Sequence, residues 1–144
     1  MMPLVATPLD SAAIGDLASV LAAAGLPVSD LAEPDRMFFR FDDGALAGFG
    51  GIEGDGPDRL LRSLIVAANR RGEGLGRVML DLLEARARKL GVIRFHLLTN
   101  TAVRFFAANG YAAADRAKAP APIAASREFT ALCPASAAYR VKAI

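Results

Sequence analysis

The stretch Arg71-Gly72-Glu73-Gly74-Leu75-Gly76 lies between an apolar run predicted to be a strand, residues 60–67, and a long amphipathic helix predicted over residues 75–90. Its alternate glycines let the backbone turn tightly and keep side chains away from a bound anion. The first amides of a helix have no partner within the helix, and with the helix dipole they favour a phosphate group. Arg71 and Arg77 add positive charge close by. The stretch therefore predicts a phosphate-binding turn, in preference to a plain tight turn, between a strand and a helix.

Two other phosphate-binding motifs do not fit this turn. A P-loop requires Gly-Lys-Ser/Thr after its glycines, whereas Gly76 is followed by Arg77 and Val78. A dinucleotide-binding fold requires Gly-x-Gly-x-x-Gly and an acidic residue at the end of the next strand, whereas the next apolar run ends in Thr99 and Asn100. The turn is therefore predicted to bind a phosphate ligand of a different kind.

Outward from the turn, apolar spacing and the positions of glycine and proline predict one α/β domain over residues 1–144. Three strands before the turn follow one another closely and predict an antiparallel meander. The strand after the long helix is predicted to lie parallel to the strand before it, across a right-handed crossover. The fold class is thus a mixed central sheet of about six to seven strands flanked by helices. Strands are predicted at residues 4–6, 37–41, 45–53, 60–67, 92–98, 111–113 and 137–141, and helices at residues 7–24, 75–90, 101–109 and 120–129.

Two of these helices carry further expectations. Thr7 is predicted to cap the first helix, with Pro8 at its first position and Asp10 completing a capping box. The long helix is predicted to bury one face and expose the other, as its apolar spacing indicates. The predicted buried face contains Leu75, Val78, Met79, Leu82, Leu83 and Leu90, and the predicted exposed face contains Arg77, Asp81, Glu84 and Arg88.

The composition narrows the class of protein. The 144 residues carry a formal net charge of +2 and show no stripe of lysine and arginine with interleaved aromatics, so nucleic-acid binding is not expected. One cysteine, Cys133, and one histidine, His96, argue against an internal disulfide and a zinc site, and no metal is predicted. The chain has no apolar segment of membrane-spanning length and no signal-peptide pattern at its start, so a cytoplasmic protein without membrane contact is expected.

The turn resembles the Gln/Arg-x-x-Gly-x-Gly/Ala signature of the GNAT superfamily of N-acetyltransferases. The strand ending in Val66 and Ala67, and the segment 102–111 with its helix, glycine and tyrosine, are similar to further parts of that family. The resemblance implies acetyl-CoA as co-substrate, lying in a V-shaped gap between two central parallel strands. The residues implied to bind it are Leu64, Ile65 and Val66 beside the pantetheine, Arg71, Gly72, Glu73, Gly74, Leu75, Gly76 and Arg77 at the turn, and Thr99 and Phe105 farther along.

Two positions differ from the pattern of many family members. Thr99 stands where many have asparagine, and Phe106 stands where many have the tyrosine that protonates the departing thiolate. A phenyl ring has no proton to donate, so Phe106 is predicted to pack in the core and the proton donor is left open. The same departure supports a second hypothesis, in which the protein binds acyl-CoA as a sensor or regulatory protein and does not catalyse transfer.

The acceptor is predicted to be the amine of a small molecule. Residues 97–106 are similar to a branch that acetylates free amino acids, including glutamate, and residues 123–129 and 132–137 resemble a subgroup associated with arsenic resistance. These resemblances imply an amino acid or a glutamate-like compound, organoarsenical analogues included, that attacks acetyl-CoA directly in a ternary complex. Many members of the family are dimers, so a homodimer is a further expectation.

Three side chains are candidates for the chemistry. Glu53, at the end of the strand next to the cofactor strand, is the predicted general base that takes the proton of the amine. Arg62 and Arg127 are predicted to hold a carboxylate or arsonate-like group of the substrate through paired hydrogen bonds. A structural or surface ion pair is the alternative for each arginine.

Overall fold

The computed structural model describes residues 3–133 and 135–144, so Met1, Met2 and Pro134, which belongs to the C-terminal stretch noted above, lie outside the described residues. The strands are β1 (Val5–Pro8), β2 (Arg36–Asp42), β3 (Leu46–Glu53), β4 (Asp58–Val66), β5 (Arg94–Thr99), β6 (Ala112–Ala113) and β7 (Ala138–Ala143). The helices are α1 (Ile14–Ala23), α2 (Leu75–Lys89), α3 (Val103–Ala108) and α4 (Ala121–Ala124). Short 3-10 turns lie at Ser11–Ala13, Ala68–Arg70 and Arg116–Lys118, and a π-helical turn lies at Glu128–Leu132.

A seven-stranded sheet in the order β1-β2-β3-β4-β5-β7-β6 organises the chain. β1 to β4 form an antiparallel meander, and β4 and β5 are parallel neighbours connected through α2. The predicted fold class, with its mixed sheet, meander and parallel pair, is confirmed. β4 and β5 pair only from Asp58↔Arg94 to Leu60↔His96, so the second halves of these two strands separate.

The two faces of the sheet pack against different helices because side chains alternate along a strand. In β2, Phe39 and Phe41 pack with α2, whereas Phe38 packs with α1. Gly48 in β3 permits the close approach of β4, since a Cβ atom there would lie 2.0 Å from the carbonyl oxygen of Ile65. The backbone at Gly48 therefore leaves no room for a side chain beside β4, the strand that leads into the glycine turn.

The buried face of α2 differs in part from the predicted one. Met79 and Leu83 are fully buried as predicted, but Leu80 is fully buried as well. Val78 and Leu90, predicted to be buried, are 43% and 37% exposed. The stripe that meets the sheet is thus rotated toward Leu80, a shift within the width of an apolar helical face.

Glu84, predicted on the exposed face of α2, is also buried, and that prediction is wrong. The Tyr111 hydroxyl donates to its carboxylate at 2.8 Å, and the Lys142 ammonium donates at 2.9 Å. These partners compensate for the loss of water around the carboxylate. Both are distant along the chain, so helical periodicity gives no sign of them.

The predicted first helix begins later than its capping pattern indicated. Thr7 and Pro8 belong to β1, which pairs with β2 as far as Pro8↔Phe39. Proline is tolerated there because β1 is an edge strand, whose outer side makes no ladder bonds. Asp10 does act as a cap, but its Oδ1 accepts from the Ala13 amide at 3.1 Å in the 3-10 turn that precedes α1.

The helix predicted at residues 120–129 is present only as the short α4 and the π-helical turn. Ser126 contributes to the interruption, because its hydroxyl donates to the Ile123 carbonyl at 2.7 Å and competes with helical bonding. Among the helices of the described residues, none has the length and apolar character needed to cross a membrane.

Candidate active site

The separation of β4 from β5 opens a cavity of about 480 Å³, called the gap cavity below. Its walls come from the second half of β4, the end of β5, the region around α3 and the end of α1. Of the residues predicted to contact the cofactor, the structure brings five together on these walls. They are Leu64, Ile65, Val66, Arg71 and Thr99.

The glycine turn lies at one end of the gap cavity and leads directly into α2. Gly72 and Gly74 have φ angles of +87° and +77°, in the left-handed region that favours glycine. Gly74 is the N-cap of α2 and has no side chain to occupy the first amides of that helix. Arg71 and Arg77 make no ion pair with any described residue, so both guanidinium groups are available to an anion.

The remaining charges at the turn hold the turn in place. Glu73 lies 3.4 Å from a guanidinium nitrogen of Arg70, which turns its carboxylate toward a protein partner. Arg70 also donates two hydrogen bonds to Asp43, at 2.7 and 2.8 Å. This anchoring role of Arg70 has no signature in the sequence, where Arg70 and Arg71 look equivalent.

At the other end of the gap cavity, β4 contains a β-bulge at Ser63. Phe49 pairs with Ile65, and Gly51 pairs with Arg62. Between these two pairs, β4 therefore contains one residue more than β3. Ser63 has a φ of +57°, which is strained for a residue with a side chain. Bulges turn the backbone of a strand and are frequent beside active sites. No glycine or proline within β4 marks this bulge, so the sequence gives no sign of it.

Arg62 lies beside the bulge in a buried cluster of charges. Its guanidinium donates to both carboxylate oxygens of Asp30, at 2.5 and 2.9 Å, and to Glu53 at 2.8 Å. Its Nε donates to the Ser63 hydroxyl at 3.2 Å and lies 3.5 Å from Glu128. The side chain has no exposed surface. Arg62 was predicted to bind the substrate carboxylate, but its donors are already taken by protein carboxylates, so this placement favours the structural alternative.

Glu53 and Glu128 complete this cluster from two different elements. Glu53 ends β3 and is 5% exposed, with Arg62 at 2.8 Å and Arg36 at 3.6 Å. Glu128 lies in the C-terminal segment, and burial raises the pKa of its carboxyl to about 7 against the lowering effect of Arg62. Neither residue reaches the wall of the gap cavity. The predicted base therefore lies behind Arg62 rather than in open contact with the cavity.

The other predicted residues fall into different positions. Thr99 caps the loop before α3, since its hydroxyl accepts from the Ala102 amide at 3.1 Å. The Phe105 ring lies behind Gly76, where a Cβ atom would meet it at 3.3 Å. Phe106 packs in the core as predicted, with its ring edge-on to Tyr111. Arg127 lies away from the gap cavity, half exposed and paired with Glu33.

Residues 16–111, more than half of the chain, match the Acetyltransferase (GNAT) family. The chain therefore belongs to this family. No curated protein sequence matches the chain at a significant level.

Solved structures share the fold over the whole chain. The N-acetylglutamate synthase of Neisseria gonorrhoeae, complexed with coenzyme A and L-arginine, has a TM-score of 0.78 and 17% identity, over 100% of this chain and 34% of that one. Rv2747 from Mycobacterium tuberculosis, in complex with CoA, has a TM-score of 0.76 and 17% identity, over 97% and 99% of the two chains. The PaiA N-acetyltransferase of Thermoplasma acidophilum, in complex with coenzyme A, has a TM-score of 0.68 and 15% identity, over 99% and 100%. The chain thus spans about a third of the Neisseria enzyme and nearly all of the other two.

Proposed function

We propose that this member of the GNAT family is an N-acetyltransferase, which takes its acetyl group from acetyl-CoA and transfers it to the amine of a small molecule by direct attack in a ternary complex. The observation that carries the proposal is the gap cavity itself, because it joins the anion-binding turn at Arg71 to the bulge at Ser63. Similar structures that hold coenzyme A support the choice of co-substrate. Family membership favours the enzyme over a binding protein without catalysis.

In this proposal the pyrophosphate of acetyl-CoA binds the first amides of α2, with Arg71 and Arg77 as its cations. The pantetheine then follows β4 past Val66, Ile65 and Leu64 toward the bulge. These three residues line the gap cavity where β4 has left β5. The thioester is thereby brought to the bulge, at the end of the cavity opposite the turn.

The reaction at the bulge forms a carbon–nitrogen bond, breaks a carbon–sulfur bond and removes one proton from the amine, which passes to Glu53 through a water molecule. The amine nitrogen attacks the thioester carbonyl carbon, and negative charge develops on the carbonyl oxygen. We propose that a β4 amide near Leu64 donates to this oxygen, since β4 makes no ladder bonds to β5 beyond Leu60. The carbon–sulfur bond then breaks and releases the thiolate of CoA. Phe106 has no proton to give, so water is the proposed source of the thiolate proton. Holding both reactants in one cavity supplies much of the rate.

The proposed acceptor is an amino acid or a glutamate-like compound. The similar Neisseria protein is an N-acetylglutamate synthase, which supports an amino-acid acceptor. No aspartate or glutamate is among the described residues that line the gap cavity, whereas Arg71 is on its wall. This charge pattern favours a neutral or anionic acceptor over a polyamine. The proposal that organoarsenical analogues are also acceptors is supported only by the resemblance of the C-terminal stretch.

A thiol-release assay with acetyl-CoA tests the proposed function. We expect turnover with free amino acids, glutamate included, and much weaker turnover with spermidine. An assay with propionyl-CoA in parallel reports whether the acyl group is restricted to acetyl. Tight CoA binding without turnover on amino acids, glutamate analogues, polyamines or arylamines would contradict the proposal.

Glu53 is the proposed general base, and its position behind Arg62 means that it acts through a water molecule. Glu53→Gln is expected to lower kcat by about 10²- to 10⁴-fold, the usual range for general base catalysis, while the Kd for CoA stays unchanged. Glutamine still accepts the hydrogen bond from Arg62, which keeps the buried cluster in place.

The control for this substitution is Glu128→Gln, which alters another acid of the same buried cluster. An equal loss in both variants would assign the effect to the cluster rather than to the base. A full-rate Glu53→Gln enzyme would remove Glu53 from the mechanism.

A further inference from the structure

A second cavity of about 640 Å³ lies between α1 and the ends of β3 and β4, and it is called the α1 groove below. Its lining is mostly apolar, with Val20 on α1, Leu46 and Phe49 on β3, and Ile65 on β4. Its polar lining residues are Ser19, Asn69 and Arg71. The proposed path of acetyl-CoA meets this space only at Ile65, Val66 and Arg71, which line both cavities.

The α1 groove opens into the gap cavity. The two cavities share Ala23 and Ala24 on the α1 side, Ile65 and Val66 on the β4 side, and Arg71 at the turn. Both alanines are exposed, and their methyl side chains leave the junction open. A ligand in the groove therefore has direct access to the cavity in which the thioester is proposed to lie.

The direction of the groove decides which ligand it suits. The pantetheine runs along β4 from the turn toward Ser63, so an extended acyl chain would continue past the bulge toward Arg62. That end is closed, because the Arg62 guanidinium is fully buried between Asp30 and Glu53. The α1 groove extends in the opposite direction, back along β4 to Ala68. An acyl chain would have to reverse its course to enter it, whereas an acceptor arriving from the α1 side would not.

We propose that the α1 groove holds the apolar body of the acceptor, so that the preferred acceptors are amines carrying an aliphatic or aromatic group. The inference rests on the proposed function and narrows its amino-acid class to members with apolar side chains. Val20, Phe49 and Ile65 supply the apolar contact, and Arg71, which also lines the groove, remains with the pyrophosphate of the cofactor. The described lining of the groove includes no carboxylate, which disfavours a polyamine.

The first test is a series of acceptors assayed with the unmodified enzyme. Each buried methylene adds about 0.8 kcal/mol of binding, or roughly a fourfold gain. We expect kcat/KM to rise from glycine through alanine to leucine and phenylalanine, with leucine at least tenfold better than alanine and better than glutamate. A flat series, or a preference for glutamate or spermidine, would overturn the inference. Acetyl transfer with a flat series would contradict this inference but agree with the proposed function. Absence of transfer to any amine would contradict both the inference and the proposed function.

The second test fills the groove from a position that does not line the gap cavity. Val20→Phe is expected to lower kcat/KM for leucine and phenylalanine at least tenfold, with less than about a threefold change for glycine and an unchanged Kd for CoA. The matched control is Ala22→Phe, an exposed position on the same helix that lines neither cavity, and it is expected to change none of these values. A Val20→Phe enzyme that folds and keeps the full preference for leucine would overturn the inference, and if this variant does not fold, the acceptor series decides it.

Discussion

Replacing Arg62 with leucine is expected to lower the free energy of unfolding by about 3–5 kcal/mol, the usual cost of removing one partner from a buried ion pair. The guanidinium is fully buried and contacts the carboxylates of Asp30, Glu53 and Glu128. Leucine is apolar and leaves these acids without their shared cation. Chemical denaturation followed by circular dichroism measures the change.

The matched control for this substitution is Arg127→Leu. Arg127 also pairs with a carboxylate, that of Glu33, but 43% of its side chain is exposed. Exposed pairs contribute about 0–1 kcal/mol, so this variant is expected to be nearly as stable as the parent. Equal stability of the two variants would contradict a structural role for the cluster. A raised KM for the acceptor in Arg62→Leu, at unchanged stability, would instead restore Arg62 as the carboxylate ligand predicted from the sequence.

The different outcomes for the turn and for Arg62 show what a sequence pattern can predict in this chain. The glycine turn, its helix and the strand before it are contiguous, so spacing alone predicted the order of these elements and the position of the turn. The partners of Arg62 are not contiguous, since Asp30 lies 32 residues away and Glu128 lies in the C-terminal segment. The sequence pattern around an arginine on a strand is the same whether its side chain is buried among acidic residues or available to bind a substrate.

The bulge at Ser63 and the α1 groove were missed for related reasons. A bulge is a mismatch between two strands, and the run Leu61-Arg62-Ser63-Leu64 shows nothing unusual within itself. The groove depends on Ala23 and Ala24, which in the sequence are ordinary residues of an alanine-rich helix. Their small size matters only because β4 passes opposite them, a relation that the fold alone reveals. The separation of β4 and β5, in contrast, was expected from the family resemblance and not from the residues.

Gly74→Asp is expected to weaken CoA binding at least 100-fold, which corresponds to about 2.7 kcal/mol. The new carboxylate lies at the N-cap of α2, where it accepts from the same first amides that are proposed to bind the pyrophosphate, and it repels that group. Aspartate at the +77° φ of Gly74 adds backbone strain, because that conformation favours glycine. Titration calorimetry with CoA measures the affinity, and the thermal midpoint reports on folding.

Two variants separate charge from backbone conformation in this experiment. Gly56→Asp places the same side chain at a φ of +79°, close to the +77° of Gly74, with nothing near the Cβ position in either case. It carries the same conformational strain far from the turn and is expected to leave CoA affinity unchanged. Gly74→Asn keeps the shape of aspartate without its charge and is expected to lose much less affinity than Gly74→Asp. If Gly74→Asp binds CoA as tightly as the parent, the pyrophosphate does not lie at the first amides of α2. Arg71 and Arg77 would then have to hold it from a different position, and the path of the pantetheine along β4 would lose its starting point.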